Sequence, residues 1–107
     1  MLEVHVNFGN AGEASKVARE AVEKRLAAAA NVHAPVQSFY WWQQEVRAAE
    51  EVPVVFKTTE MKVHDLMDFI ARNHSYDTPG IVVHRPMTVH AKYLTWVEAE
   101  MRRPGRR

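Results

Sequence analysis

The chain has 107 residues, 47% of them hydrophobic and 25% charged, which fits one globular domain with a single core. Four of its 14 basic residues crowd into the last six positions, and the remainder carries 10 basic against 13 acidic residues, so a broad nucleic-acid face is not indicated. No cysteine is present, which excludes disulfides and thiolate metal sites.

No apolar run reaches the roughly 20 residues of a membrane span. Met1-Leu2-Glu3-Val4-His5 has neither the basic nor the apolar part of a secretory leader. The expectation is a soluble cytoplasmic protein.

Leu2, Val4, Val6 and Phe8 alternate with Glu3, His5 and Asn7, the pattern of a half-buried strand. Gly9-Asn10-Ala11-Gly12 ends it, and Asn10 with Glu13 fits a capping-box-like helix start. The spacing then predicts a helix over 11–29, with Val17, Ala18, Ala21, Val22 and Leu26 as its apolar stripe. Residues 31–35 end that helix and lead into an extended stretch.

Ser38-Phe39-Tyr40-Trp41-Trp42 carries four aromatics in a row. Strand alternation sends Phe39 and Trp41 to one face and Tyr40 and Trp42 to the other. Both faces are then apolar, and each large ring offers on the order of 150–250 Å² for burial. One small core does not need that much, so part of the stretch reads as an interface. Gln43-Gln44 is the predicted turn, and residues 46–58 return as the antiparallel partner. Pro53 cannot donate to a ladder, so its nitrogen must face an edge or a bulge.

Thr58 or Thr59 is expected to cap a second helix, with Glu60 in its first turn. Val63, Leu66, Met67 and Ile70 form that helix's core stripe. It fades at Arg72-Asn73-His74, and residues 75–80 are loop. Ile81-Val82-Val83 reads as a short strand. Residues 88–101 read as a final helix carrying Tyr93, Leu94, Val97 and Met101, followed by a basic tail over 102–107. The order is β-α-β-β-α-β plus a C-terminal helix. It predicts an α+β, ferredoxin-like sandwich with an extended β-hairpin, as one domain over residues 1–101.

Six histidines invite a search for a metal site: His5, His33, His64, His74, His84 and His90. None forms a paired helical motif. His74 closes a helix, and Tyr76 and Asp77 follow in a proline-stiffened loop. Imidazole with carboxylate suits Cu(II) or Zn(II), so His74 and Asp77 are the candidate metal ligands. Catalysis finds little support. Ser75 is merely adjacent to His74, there is no G-x-S-x-G elbow and no thiol, and a binding protein rather than an enzyme is expected. The strand Val54-Val55-Phe56-Lys57-Thr58-Thr59 lacks an RNA-recognition signature, so no nucleic-acid partner is expected.

Five stretches stand together in order: Leu26-Ala27-Ala28-Ala29-Ala30-Asn31-Val32, Ser38 to Trp42, Lys57-Thr58, His74 to Pro79, and Tyr93-Leu94-Thr95-Trp96-Val97. They resemble the CutA family of divalent-cation-tolerance proteins over about residues 3–101. The resemblance implies the same ferredoxin-like fold and a homotrimer like that of the PII signal-transduction proteins, with Phe39 and Trp41 in the trimer interface. It implies tolerance to copper and other divalent ions, and clefts between subunits lined by Tyr40, Trp42, Lys57, His74, Tyr76 and Asp77. A PII-like sensor or scaffold holding a small anionic molecule near Lys57 is the alternative. The chain departs from the family pattern at Ala29, where cysteine is common, at Ser75, where proline is common, and at Gly80, where glutamate is common. Without thiols, the soft route to copper is closed.

Overall fold

Strand β1 (Leu2–Phe8) has the predicted alternation, with Leu2, Val4, Val6 and Phe8 buried and the residues between them half-exposed. The computed structural model describes residues 1–105, so Arg106 and Arg107 of the basic tail lie outside the described residues. After β1 come α1 (Ala11–Glu23), β2 (Ala29–Val32), β3 (Val36–Trp42), β4 (Glu45–Thr58), α2 (Val63–Asn73), β5 (Val82–His84) and α3 (Ala91–Arg102).

The sheet is antiparallel, with path β2-β4-β1-β5 and β3 added to the far half of β4. The long β4 serves two partners on one edge in turn. Its residues 54–57 pair with β2, and 45–51 pair with β3. Its other edge takes β1 over residues 52–58. The β3–β4 half therefore leaves the body as a two-stranded arm.

Pro53 sits at the handover from β2 to β3. Its carbonyl accepts the His33 N–H at 2.9 Å. Carbonyl and nitrogen of one residue face the same edge of an antiparallel strand. The missing donor therefore points where β2 has just ended, and the ladder to β1 is intact.

The inner sheet face meets α1 through Ala14, Val17, Ala18 and Ala21, and α2 through Val63, Leu66, Phe69 and Ile70. Phe69 takes the core place expected of Met67, which is only partly buried. Helix α3 buries Val97 and Met101 and leaves Tyr93 and Trp96 stacked on its outer side with centroids 5.7 Å apart.

The strands β4 and β5 shift from the pattern by a single residue, and the helices differ more. The first helix stops at Glu23, not at Ala29. Arg25 turns left-handed with φ of 59°, and the Leu26 and Ala27 N–H groups fold back onto the Ala21 carbonyl. Arg25 is held there by donating to the carbonyl and carboxylate of Glu100, both at 3.2 Å. The alanines beyond then pair with β4, starting from Ala28 N–H to the Lys57 carbonyl at 2.8 Å. Pairing with a strand outweighs alanine's modest helix preference.

Thr58 does not cap α2. It ends β4 fully buried, and its hydroxyl donates to the Leu26 carbonyl at 2.8 Å, pinning the same turn. Helix α2 starts after a tight turn with no side-chain cap at Lys62, and Glu60 pairs with Arg85 instead. Helix α3 starts at Ala91, because His90 caps it by accepting the Lys92 N–H at 3.2 Å.

Gln43 and Gln44 both have positive φ, of 51° and 64°, as a two-residue hairpin turn of the primed type requires. The turn stands where it was expected, although glutamine is strained in this region.

Candidate functional site

The site grows from the junction of β1, α1 and the loop after α2. Asn10 caps α1 by accepting the Glu13 N–H at 2.8 Å. The Glu13 carboxylate is not spent on a reciprocal cap. It accepts the Ser75 N–H at 2.7 Å and the Ser75 hydroxyl at 2.8 Å. The start of one helix thus anchors the loop that follows the other.

His74 drives that loop into the body. It is 9% exposed and stacks on Phe8 with centroids 4.4 Å apart and planes at 14°. Its Nε2–H donates to the Asn7 carbonyl at 2.7 Å, and its Nδ1 accepts the Tyr76 N–H at 3.0 Å. A carbonyl only accepts and an amide N–H only donates, so these partners select the neutral tautomer protonated at Nε2. Neither nitrogen then has a lone pair free for an ion. The residue expected to be the leading metal ligand holds the loop to β1, and coordinating a metal would break one of its two bonds.

Tyr76 extends the same network outward. Its ring lies 4.7 Å from His74 between centroids and packs over Gly9, where a Cβ would come within 3.3 Å of the phenol. Gly9 is the close-approach position here. The Tyr76 hydroxyl donates to Glu51 at 2.8 Å, and Glu51 also accepts from Asn7 Nδ2 at 3.3 Å. Glu51 lies in β4 where the arm leaves the body. The loop, the first strand and the base of the arm therefore meet on one carboxylate.

Partial burial, followed by the hydrogen bond to the Glu51 carboxylate, pushes the Tyr76 phenol up to about 12 from an ordinary value of 10.0. The folded value lies above the unfolded one, so this group's stabilisation is complete below pH 10 and is lost as pH rises toward 12. Stability against unfolding, followed by circular dichroism, should fall as pH rises through that window. Tyr76→Phe should flatten the dependence, and an unchanged alkaline slope in the variant would refute the assignment.

Between the arm and this loop lies a cavity of about 750 Å³. Tyr40 and Trp42 line it from β3, Arg47 from β4, and Tyr76 and Asp77 from the loop. Four residues expected in the cleft, Tyr40, Trp42, Tyr76 and Asp77, therefore share one space within a single chain. Lys57 is not among its lining residues and instead donates its ammonium to the Asn31 side chain. Phe39 and Trp41 are 67% and 74% exposed.

Sequence reasoning missed Glu51 and Arg47 and, after considering His5 and His84, expected plain structural or surface roles for them; all four border the cavity. Only the strand register reveals them. Among the described residues, no three His, Asp or Glu side chains stand ready to enclose an ion.

The chain is a small α+β domain of the ferredoxin-like class, with a projecting two-stranded arm and a cavity at the arm's base. The profile of the family described as CutA1 divalent ion tolerance protein matches residues 2–100, and the chain belongs to that family. It is 34% identical over 97 residues to the divalent-cation tolerance protein CutA of Thermotoga maritima, covering 91% of this chain and 95% of that one. It is 30% identical to the protein of the same name from Archaeoglobus fulgidus, covering 89% and 92%.

Among solved structures, a variant of CutA1 from Pyrococcus horikoshii superposes with a TM-score of 0.91 at 31% identity, over 96% of this chain and all of that one. The Archaeoglobus fulgidus structure, described as a periplasmic divalent cation tolerance protein, gives 0.90 at 29%, over 94% and 99%. A relative from Oryza sativa is described as chloroplastic. No helix among the described residues is long and apolar enough to cross a membrane.

Proposed function

We propose that this chain works as a homotrimeric binding protein in divalent-cation tolerance, with copper or another divalent ion taken up in the cavity at the base of the arm. The cavity carries the reading. It unites Tyr40 and Trp42 with Tyr76 and Asp77, from stretches more than 30 residues apart, in one space of about 750 Å³. The relatives' names support the ion class. The exposed rings of Phe39 and Trp41 support assembly, since contiguous apolar surface of this kind marks an interaction site.

Binding is favoured over catalysis by the state of the side chains a hydrolase would need. The Ser75 hydroxyl is held by Glu13, and both nitrogens of His74 are engaged by backbone groups. No base stands over a nucleophile there.

Calorimetric titration of the full chain with Cu(II) and Zn(II) tests the reading. Saturable binding that is weakened by Asp77→Asn is expected. The absence of saturable heat with either ion would overturn direct ion binding.

A second reading has one observation in its favour. Arg47 joins His5 and His84 on the cavity wall, which suits a small anionic ligand and a PII-like sensor role. Saturable binding of inorganic phosphate or a nucleotide, lost in Arg47→Ala, would select it.

A further inference from the structure

We propose that His5 and His84 form a two-imidazole site for a divalent transition ion, with Cu(II) the preferred occupant and Glu3 orienting His5. The inference rests on the reading above that the cavity takes the ion, and it names the side chains that hold it.

The register makes the site. β1 and β5 pair with Glu3 opposite His84 and His5 opposite Val82. Glu3 and His5 are two residues apart, so they share a face. Glu3 and His84 are directly opposed, so His84 joins them. All three lie on the sheet face away from the helices, because Leu2, Val4 and Val6 fill the other. The two imidazoles end with centroids 4.3 Å apart and planes at 54°. With metal–nitrogen bonds of about 2.0–2.1 Å, two adjacent imidazoles on one ion stand roughly 4.5–5 Å apart, so the pair needs only a slight opening.

The donor atoms are available, in contrast to those of His74. Glu3 Oε1 lies 3.2 Å from His5 Nε2. The carboxylate accepts the Nε2–H and leaves the Nδ1 lone pair for an ion, the usual arrangement of carboxylate, histidine and metal. Beyond its backbone pairing in β5, the His84 side chain makes only its ring contact with His5 among the described residues, so its ring is free to turn. Both rings border the cavity, and Asp77 lines the same space. Imidazole donors without thiolate favour copper(II), nickel and zinc, and copper(II) heads the affinity order. A pair serving only to pack an edge strand would not need imidazole, since the neighbouring β5 positions are valine.

The test is a Cu(II) titration of the full chain by calorimetry, with electron paramagnetic resonance on the loaded protein. The expected spectrum shows two equatorial imidazole nitrogens. His5→Ala and His84→Ala should each lower affinity at least tenfold and remove one nitrogen from the spectrum. Glu3→Gln should cost about 10–100-fold by releasing the ring's orientation. These side chains are partly or largely exposed, so the variants should keep their melting temperatures. Saturable binding with the same nitrogen count in both histidine variants would overturn this site and leave ion binding in the cavity standing. No saturable binding by the unaltered chain would overturn both.

Discussion

Phe8→Ala is expected to destabilise this protein by about 3–5 kcal/mol, a cost typical of emptying a buried aromatic site. Phe8 is fully buried at the end of β1, and its ring supports the stacked His74. A domain of this size holds only about 5–15 kcal/mol in total, so the loss takes at least about a fifth of that margin. The loss should not stay local. Without the stack, His74 retains its bonds to Asn7 and Tyr76 but lacks the surface that fixes its plane. Tyr76 and Glu51, next along the network, should loosen as well.

Urea unfolding gives the size of the effect, and hydrogen exchange at the Tyr76 amide gives its reach. A midpoint shift worth less than about 1 kcal/mol would contradict the burial. Unchanged protection at Tyr76 would contradict the linkage. His74→Ala serves as a comparison. It leaves the Asn7 carbonyl without its partner, which costs about 1–3 kcal/mol. If His74 acts through position rather than as an ion ligand, the two variants should resemble each other in loop exchange.

The sequence shows local pattern well and pairing poorly. The alternation in β1 follows from residues within the strand, and the buried face is the one it indicates. The stripe of α2 is equally local, apart from the exchange of Met67 for Phe69. The Gln43-Gln44 turn is set by the apolar stretches on either side. Ala27 to Ala30 shows the opposite case. These residues suit a helix on their own, and only the β4 edge and the buried Thr58 hydroxyl make them a turn and a strand.

The site divides in the same way. Tyr40, Trp42, Tyr76 and Asp77 were visible as residue types in unusual stretches. His74 was visible too, but its role depends on the Asn7 carbonyl and the Phe8 ring, which lie more than 60 residues away. Lys57 carries its ammonium to Asn31, a neighbour that only the β2–β4 register supplies. His5, His84 and Glu3 become a group only once β1 and β5 are placed side by side.

The second large effect concerns the arm. Phe39→Ala combined with Trp41→Ala should leave each chain folded and abolish the proposed trimer. Both rings are mostly exposed within one chain, so removing them empties no space in its own core. They lie on one face of β3 opposite Ala48 and Val46, and those small side chains cannot cover them. At about 25 cal/mol per Å², covering the exposed part of each ring is worth roughly 3 kcal/mol. An assembly with three such arms would lose that contribution three times over, which far exceeds the margin of an ordinary association. Light scattering should then give the mass of one chain for the double variant and of three for the unaltered protein. The melting temperature of the unaltered protein should rise with concentration, and that of the variant should not. Equal masses for the two proteins would show that these rings do not hold subunits together. A double variant that unfolds outright at low concentration would instead show that the chain needs its neighbours in order to fold.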